Sequence, residues 1–186
     1  MNSPLGAAAE FLISTLFDLY ILILLLRFLL QLLRADFYNP LSQFIVRASN
    51  PVLVPLRRII PGFGGIDVSA IAAMVALKAM QLGLLAAIAL IPVSATRLAA
   101  LTAADLLQTT VYVFIVAIMI QVILSWVSPG QHNPMTKLLH SLTEPLLRPA
   151  RRVIPSFSGI DFSAFAVLIA LQLVLILVVR PLYSVI

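Results

Sequence analysis

One stretch of this chain is written twice. Residues 50–69, NPVLVPLRRIIPGFGGIDVS, recur as residues 144–163, EPLLRPARRVIPSFSGIDFS. The register is constant: Pro51, Pro61 and Asp67 reappear 94 residues later as Pro145, Pro155 and Asp161. No gap is needed as far upstream as Asn39-Pro40 and Asn133-Pro134. Self-similarity at a fixed spacing means one structural unit used twice, which divides the chain into residues 1–94 and 95–186.

Each copy of the element lies between two long apolar runs. Crossing a bilayer takes about 20 mostly apolar residues, and four runs qualify: about 11–33, 68–91, 105–127 and 160–179. With 62% hydrophobic and only 10% charged residues, the chain lacks the polar surface to cover a soluble core. The expected fold is an all-α integral membrane protein. Its four transmembrane helices form two tandem parallel repeats, each a helix, amphipathic loop helices and a second helix. Two spans per repeat is an even number, so both copies enter the membrane in the same sense, related by a pseudo-two-fold axis along its normal. Both loops then lie on one side, with Arg34, Arg47, Arg57, Arg58, Lys137, Arg148, Arg151 and Arg152, against Arg97 and Arg180 on the other. The positive-inside rule puts the loops in the cytoplasm and both termini outside. The N-terminus lacks a basic stretch and carries Glu10 before the first run, so no cleaved leader is expected.

The loop has its own grammar. Asn39 is a good N-cap and Pro40 suits the first helical position. Leu41, Phe44, Ile45 and Ala48 fall on one helical face, repeated as Met135, Leu138, Leu139 and Leu142. A residue before proline avoids the helical region, which predicts a stop near Asn50 and near Glu144. A second short piece, Pro51 to Ile60 with Pro55 inside, ends at Pro61. Phe63-Gly64-Gly65 makes a turn, and Asp67 or Ser69 caps the next span. Two placements fit. The loop helices lie in the headgroup layer with arginines toward phosphate, or they partly re-enter the bilayer, covered by protein or water. Arg57-Arg58 and Arg151-Arg152 stand nine to ten residues before Asp67 and Asp161. An ion pair there holds the loop against the span, with lipid phosphate competing for the arginines. The candidate lipid- or partner-contacting residues are Asn50, Pro51, Pro55, Arg57, Arg58, Pro61, Gly65 and Asp67 in the first copy. In the second they are Pro145, Arg151, Arg152, Pro155, Gly159 and Asp161.

Polar residues inside the spans form a second candidate set: Asp18, Arg27, Lys78, Tyr112, Gln121 and Gln172. A charge at a helix centre costs about 2.5–3.5 kcal/mol on insertion scales. Asp18 and Arg27 sit on opposite faces of one helix, so Arg27 is expected to extend toward the cytoplasmic interface. Asp18 and Lys78 fall at similar depth and are expected to pair. Shifting both by the repeat gives Tyr112 and Gln172, for which a looser contact is expected. Gln31, Gln81, Gln108, Gln121 and Gln172 read as hydrogen-bonding groups between helices.

Several chemistries find no residues to carry them. The chain has no cysteine, so no disulfide or thiolate site. His132 and His140 have no third ligand in reach by spacing, and no nucleophile pattern or phosphate loop is present; no catalytic residue, metal or cofactor is expected. A net charge of +5, scattered over the chain, suits anionic lipid rather than nucleic acid.

The pattern Asn39-Pro40, Ser42-Gln43-Phe44-Ile45, and then Asn50 through Ser69 resembles the YggT family of bacterial inner-membrane proteins, also called YlmG-like. The resemblance covers nearly the whole chain in two modules, and the second copy departs from the pattern at Met135-Thr136-Lys137, Glu144 and Ala150. It implies a multi-pass protein of the bacterial inner membrane. Plastid relatives are linked to cytochrome b-f assembly and nucleoid distribution, and bacterial ones to osmotic tolerance, ion uptake and cell-division genes. Two functions follow as expectations. The first is a non-enzymatic scaffold, assembly or stress-tolerance factor. Its partners are anionic headgroups, unidentified membrane or cytoplasmic proteins, and a homo-oligomer as a further option. The second is a small ion or osmolyte transporter or channel component, with Asp18 and Lys78 lining a polar path. Intramembrane charge neutralised inside a helix pair favours the first; charge left facing water favours the second.

Overall fold

The structure is a computed structural model and describes residues 4–127, 133–154 and 161–184. The regular elements among these residues are all helices: α1 (Pro4–Leu32), α2 (Pro40–Ile59), α3 (Val68–Ala89), α4 (Ala95–Val127), α5 (Pro134–Val153), α6 (Phe162–Val174) and α7 (Arg180–Ser184). A π-helical turn, Leu175–Val179, joins α6 to α7 without a break. Among the described residues, four stretches are long and apolar enough to cross a membrane: α1, α3, α4 and the continuous Phe162–Ser184. The chain is therefore read as a membrane protein.

The helices run further than the sequence predicts. The first begins at Pro4 rather than near residue 11, and α4 begins at Ala95 rather than near residue 105. Asp105 thus lies about 15 Å into α4 instead of at its start. The last span continues past Pro181. Proline has no N–H to give, and the widened turn before it absorbs the mismatch: Arg180 N–H reaches back five residues to Leu175 O.

The predicted breaks at Asn50 and Glu144 do not occur. Each loop carries one continuous 20-residue helix, with Pro51 and Pro55 inside α2 and Pro145 and Pro149 inside α5. All four prolines are exposed. Spaced four apart, each pair lies on one face, so the carbonyls they leave unpaired point away from the core. The opposite face is buried, through Ser42, Ile45, Ser49 and Leu53 in α2 and Leu139, Leu142, Thr143 and Leu147 in α5. Packing on that side outweighs the local preference of a pre-proline residue. Asn39 caps α2 by accepting from Leu41 N–H at 2.9 Å, and Asn133 caps α5 through a reciprocal box with Thr136.

α1 packs chiefly on α3, α3 on α4, and α4 on α5. Ala70 and Ala73 on α3 are buried against Leu24, Leu25 and Leu29 of α1, and such small side chains let two helices approach closely. Ile45 and Leu53 of α2 and Leu142 of α5 join this core. The two loop helices also touch directly, with Asn39 Nδ2–H donating to Pro134 O at 2.5 Å. α2 and α5 therefore meet at one end of the bundle.

Candidate functional site

Two polar arrangements stand out, one at the α2–α5 end and one deep in the bundle. The first is a pair of corners where a loop helix turns into the next span. Pro61 is exposed and ends the run of helix after Ile60, whose N–H still bonds Leu56 O at 2.8 Å. A two-residue reversal follows, with Phe63 and Ile66 exchanging backbone hydrogen bonds across Gly64 and Gly65 at φ 61° and 83°. Only glycine enters that left-handed region freely. The reversal sets Asp67 at the N-cap of α3, where it accepts from Ala70 N–H and Ser69 Oγ–H. Arg57 reaches across from the last turn of α2 to form an ion pair with Asp67, and donates to Gln31 on α1 at 3.3 Å. Burial pushes the Asp67 carboxyl up, but hydrogen bonds from Arg57 and Ser69, the Arg57 charge and the Ala70 amide outweigh it and hold it below its ordinary value.

The second corner is built alike. Arg151 Nε–H donates to Asp161 at 2.8 Å, and Asp161 caps α6 by accepting from Ser163 N–H at 3.0 Å. Burial raises the Asp161 carboxyl, and hydrogen bonds from Ser163 and Arg151 more than reverse this. Here a further carboxylate enters: Glu144 accepts from Arg151 at 2.8 Å and lies 3.7 Å from Arg148. Arg58 and Arg152, the second members of each pair, are exposed, and neither joins an ion pair among the described residues. Asn50 is half-buried on α2, Pro51, Pro55, Gly65 and Pro145 are exposed, and Pro155, Gly159 and His132 lie outside the described residues.

The second arrangement is a cluster of charges within the spans. On α3 the buried stripe Ala70, Ala73, Met74, Lys78, Gln81 follows the helical period and faces α1. On α1, Asp18 is one turn before buried Ile21 on the facing stripe. Lys78 Nζ consequently lies 2.7 Å from Asp18 Oδ1, the contact the sequence predicts. Gln81 adds a hydrogen bond to the same oxygen at 2.9 Å and one to Ser14 O at 3.3 Å. The order, 78 with 18 and 81 with 14, makes α1 and α3 antiparallel. A second carboxylate, Asp105 of α4, stands 3.6 Å from Lys78. Asp105 accepts from the Tyr183 hydroxyl, which also lies 2.8 Å from Gln108 Oε1. These groups line a cleft of about 230 Å³ with Asp18, Thr109 and Tyr112. The Lys78 side chain is 6% exposed, and that of Asp18 is 55% exposed.

Two expectations fail. Tyr112 and Gln172 make no hydrogen bond with each other; Tyr112 borders the cleft, while Gln172 points outward, exposed on α6. With Asp105 and Tyr183 at the cleft, the second half completes the Lys78 cluster rather than building a neutral copy of it. Arg27 does not extend to the surface. It is 8% exposed, with Phe37 over its guanidinium at 5.2 Å. Four of the five glutamines do bridge helices: Gln31 to Arg57, Gln81 to Asp18, Gln108 to Tyr183, and Gln121 by accepting from Thr143. The sequence missed Asp105 and Tyr183 as members of the cluster. The signal available was that Asp105 follows ten residues free of helix breakers from Ala95.

The CCB3/YggT family profile matches residues 7–88 and again residues 100–182. An uncharacterized protein of Pseudomonas aeruginosa is 45% identical over 180 residues, covering 96% of this chain and 91% of its own. An uncharacterized protein of Vibrio alginolyticus is 45% identical over 166 residues, covering 88% and 89%. The uncharacterized protein YggT of Escherichia coli (strain K12) is 40% identical over 167 residues, covering 88% and 85%. No solved structure matches. With the family profile covering most of the sequence and relatives this similar over most of their lengths, the chain belongs to the CCB3/YggT family.

Proposed function

We propose that the protein is a non-enzymatic scaffold or assembly factor of the bacterial inner membrane. In this reading the chain is two tandem repeats whose amphipathic helices α2 and α5 form one cytoplasmic-face platform for anionic headgroups and protein partners. The observation that carries it is the state of Lys78. Its ammonium is buried and held between Asp18 and Asp105, so the deepest positive charge serves to fasten α1, α3 and α4 together. The outward faces of the loop helices support the platform. α2 presents Phe44, Arg47, Val54 and Arg58 outward, and α5 presents Lys137, Arg148 and Arg152. Mixed basic and apolar exposure of this kind suits a helix lying among headgroups.

The cleft beside Lys78 favours a second reading, a small ion or osmolyte transporter or channel component, because Asp18 is more than half exposed there. Proteoliposomes carrying H⁺, Na⁺ or K⁺ gradients separate the two. The scaffold reading predicts that the protein dissipates none of them beyond empty vesicles. A flux that Lys78→Met abolishes, in protein that remains folded, contradicts it and puts transport first.

A further inference from the structure

Arg27 is a full positive charge that rests on the Phe37 ring and for which the described residues supply no hydrogen bond or ion pair. It sits five residues before the end of α1, about 8 Å along the axis, at the same end as the Arg57–Asp67 corner. Its Nε and Nη1 are buried and make no hydrogen bond. An arginine does not escape this by losing its proton. The Asp67 carboxylate, which acts on Arg27 electrostatically, is already taken by Arg57, Ser69 and the Ala70 amide. The corner thus holds two guanidiniums and one carboxylate. The repeat shows what a settled version contains. Ninety-four residues on, Gln121 stands in place of Arg27 and accepts from Thr143.

We propose that Arg27 is the floor of a phosphate-binding site, occupied by the headgroup phosphate of an anionic phospholipid. A planar guanidinium with free N–H groups matches the oxygens of phosphate. The short axial distance to the end of α1 puts those groups near headgroup level. Arg57 adds positive potential beside it, and Phe37 covers the guanidinium face. The proposal rests on the interfacial placement of α2 described above and adds one stoichiometric lipid to it. The same chemistry serves free inorganic phosphate, which the test separates.

The test is thermal unfolding of purified, delipidated protein in neutral detergent, with added phosphatidylglycerol, phosphatidylcholine or inorganic phosphate. Wild type is expected to be stabilised by phosphatidylglycerol and not by phosphatidylcholine. Arg27→Met, which exchanges an unpaired buried charge for an apolar side chain, is expected to be at least as stable as wild type without lipid. It should need about tenfold or more phosphatidylglycerol for the same shift, the loss expected for charge-assisted hydrogen bonds. A response of wild type to inorganic phosphate that Arg27→Met removes supports the phosphate site with a free anion as its source. An Arg27→Met protein that is less stable without lipid and responds to phosphatidylglycerol as wild type does overturns the proposal. Arg58→Gln distinguishes the two levels. If it alone removes the lipid response, headgroups dock on the exposed arginines and the Arg27 site falls. If neither wild type nor any variant responds to anionic lipid or phosphate, the interfacial reading falls with it.

Discussion

In the first corner Arg57 reaches Asp67, while Arg27 lies buried beside them with two nitrogens, Nε and Nη1, unsatisfied. In the second, Arg151 reaches both Asp161 and Glu144, Arg148 stands 3.7 Å from Glu144, and neutral Gln121 occupies the place of Arg27. The backbone solution is shared: a proline-containing helix, an N-cap aspartate, and an arginine ten residues before it. The electrostatics are not. The first corner is buried, with Asp67 at 3% exposure, and holds Arg27 beside its one carboxylate; the second is open, with Asp161 at 40%, and sets two carboxylates, Glu144 and Asp161, against Arg148 and Arg151. A duplicated element has kept its capping and clamping residues while its charge balance has diverged. The clamp therefore belongs to the fold, and Arg27 marks where the two halves differ in what they meet.

The interior of the bundle carries the same asymmetry, and substitutions there should give the largest difference. Lys78→Met leaves Asp18 and Asp105 facing each other, at an expected cost of about 3–5 kcal/mol. The equivalent Gln172→Met, on an exposed position without a hydrogen bond, should cost within about 0.5 kcal/mol. Unfolding titrations in mixed micelles measure both; equal losses would remove the distinction between the halves. Asp18→Asn should cost less than Lys78→Met, because Asp105 still faces the ammonium and Asp18 is partly exposed. Combining Asp18→Asn with Lys78→Met should recover part of the loss, and simple addition of the two would show that the pair contributes nothing.

Next in size are the clamps. Asp67→Asn weakens the cap of α3 and strands Arg57 next to Arg27, for about 3 kcal/mol. Asp161→Asn keeps an N-cap acceptor and loses an exposed ion pair, for about 1 kcal/mol or less. The same unfolding measurement applies, and a larger loss at Asp161 would reverse the comparison. The smallest effect is with pH. Both carboxyls are held below their ordinary value in the folded protein, so each clamp contributes fully above the unfolded value of about 3.9. That contribution is lost as pH falls through the lower folded value. The thermal midpoint should be indifferent to these clamps between about pH 5 and 7 and should fall below about pH 4. Asp67→Asn should shrink that acid drop more than Asp161→Asn.

The four apolar runs and the Asp18–Lys78 contact were legible in the sequence because each rests on spacing, and helical spacing maps directly onto faces and depths. The capping role of Asp67 and Asp161 was legible because residue type and position coincide. What could not be read depended on partners far along the chain. Continuity of α2 through Pro51 is decided by the packing of Leu53 and Ser49, not by the local dipeptide. The burial of Arg27 involves Phe37, which covers its guanidinium from beyond the end of α1. Asp105 joins Lys78 because α4 starts ten residues earlier than its apolar run, and Tyr183 because a π-turn carries the last helix past Pro181. The sequence offset of 94 residues paired Tyr112 with Gln172, yet only Tyr112 faces the cleft, since the two halves share one cluster.

Where α2 and α5 lie decides most directly whether the two loop helices share one platform. The chain has no cysteine, so single cysteines report without background. Gln43→Cys on α2 and His140→Cys on α5 replace exposed residues of the two loop helices, and Thr96→Cys replaces an exposed residue near the start of α4. With a membrane-impermeant maleimide on intact spheroplasts, a shared cytoplasmic platform predicts labelling at position 96 and protection at 43 and 140 until the membrane is opened. Labelling of 43 and 140 from opposite sides, or of both from outside, would contradict a shared cytoplasmic platform.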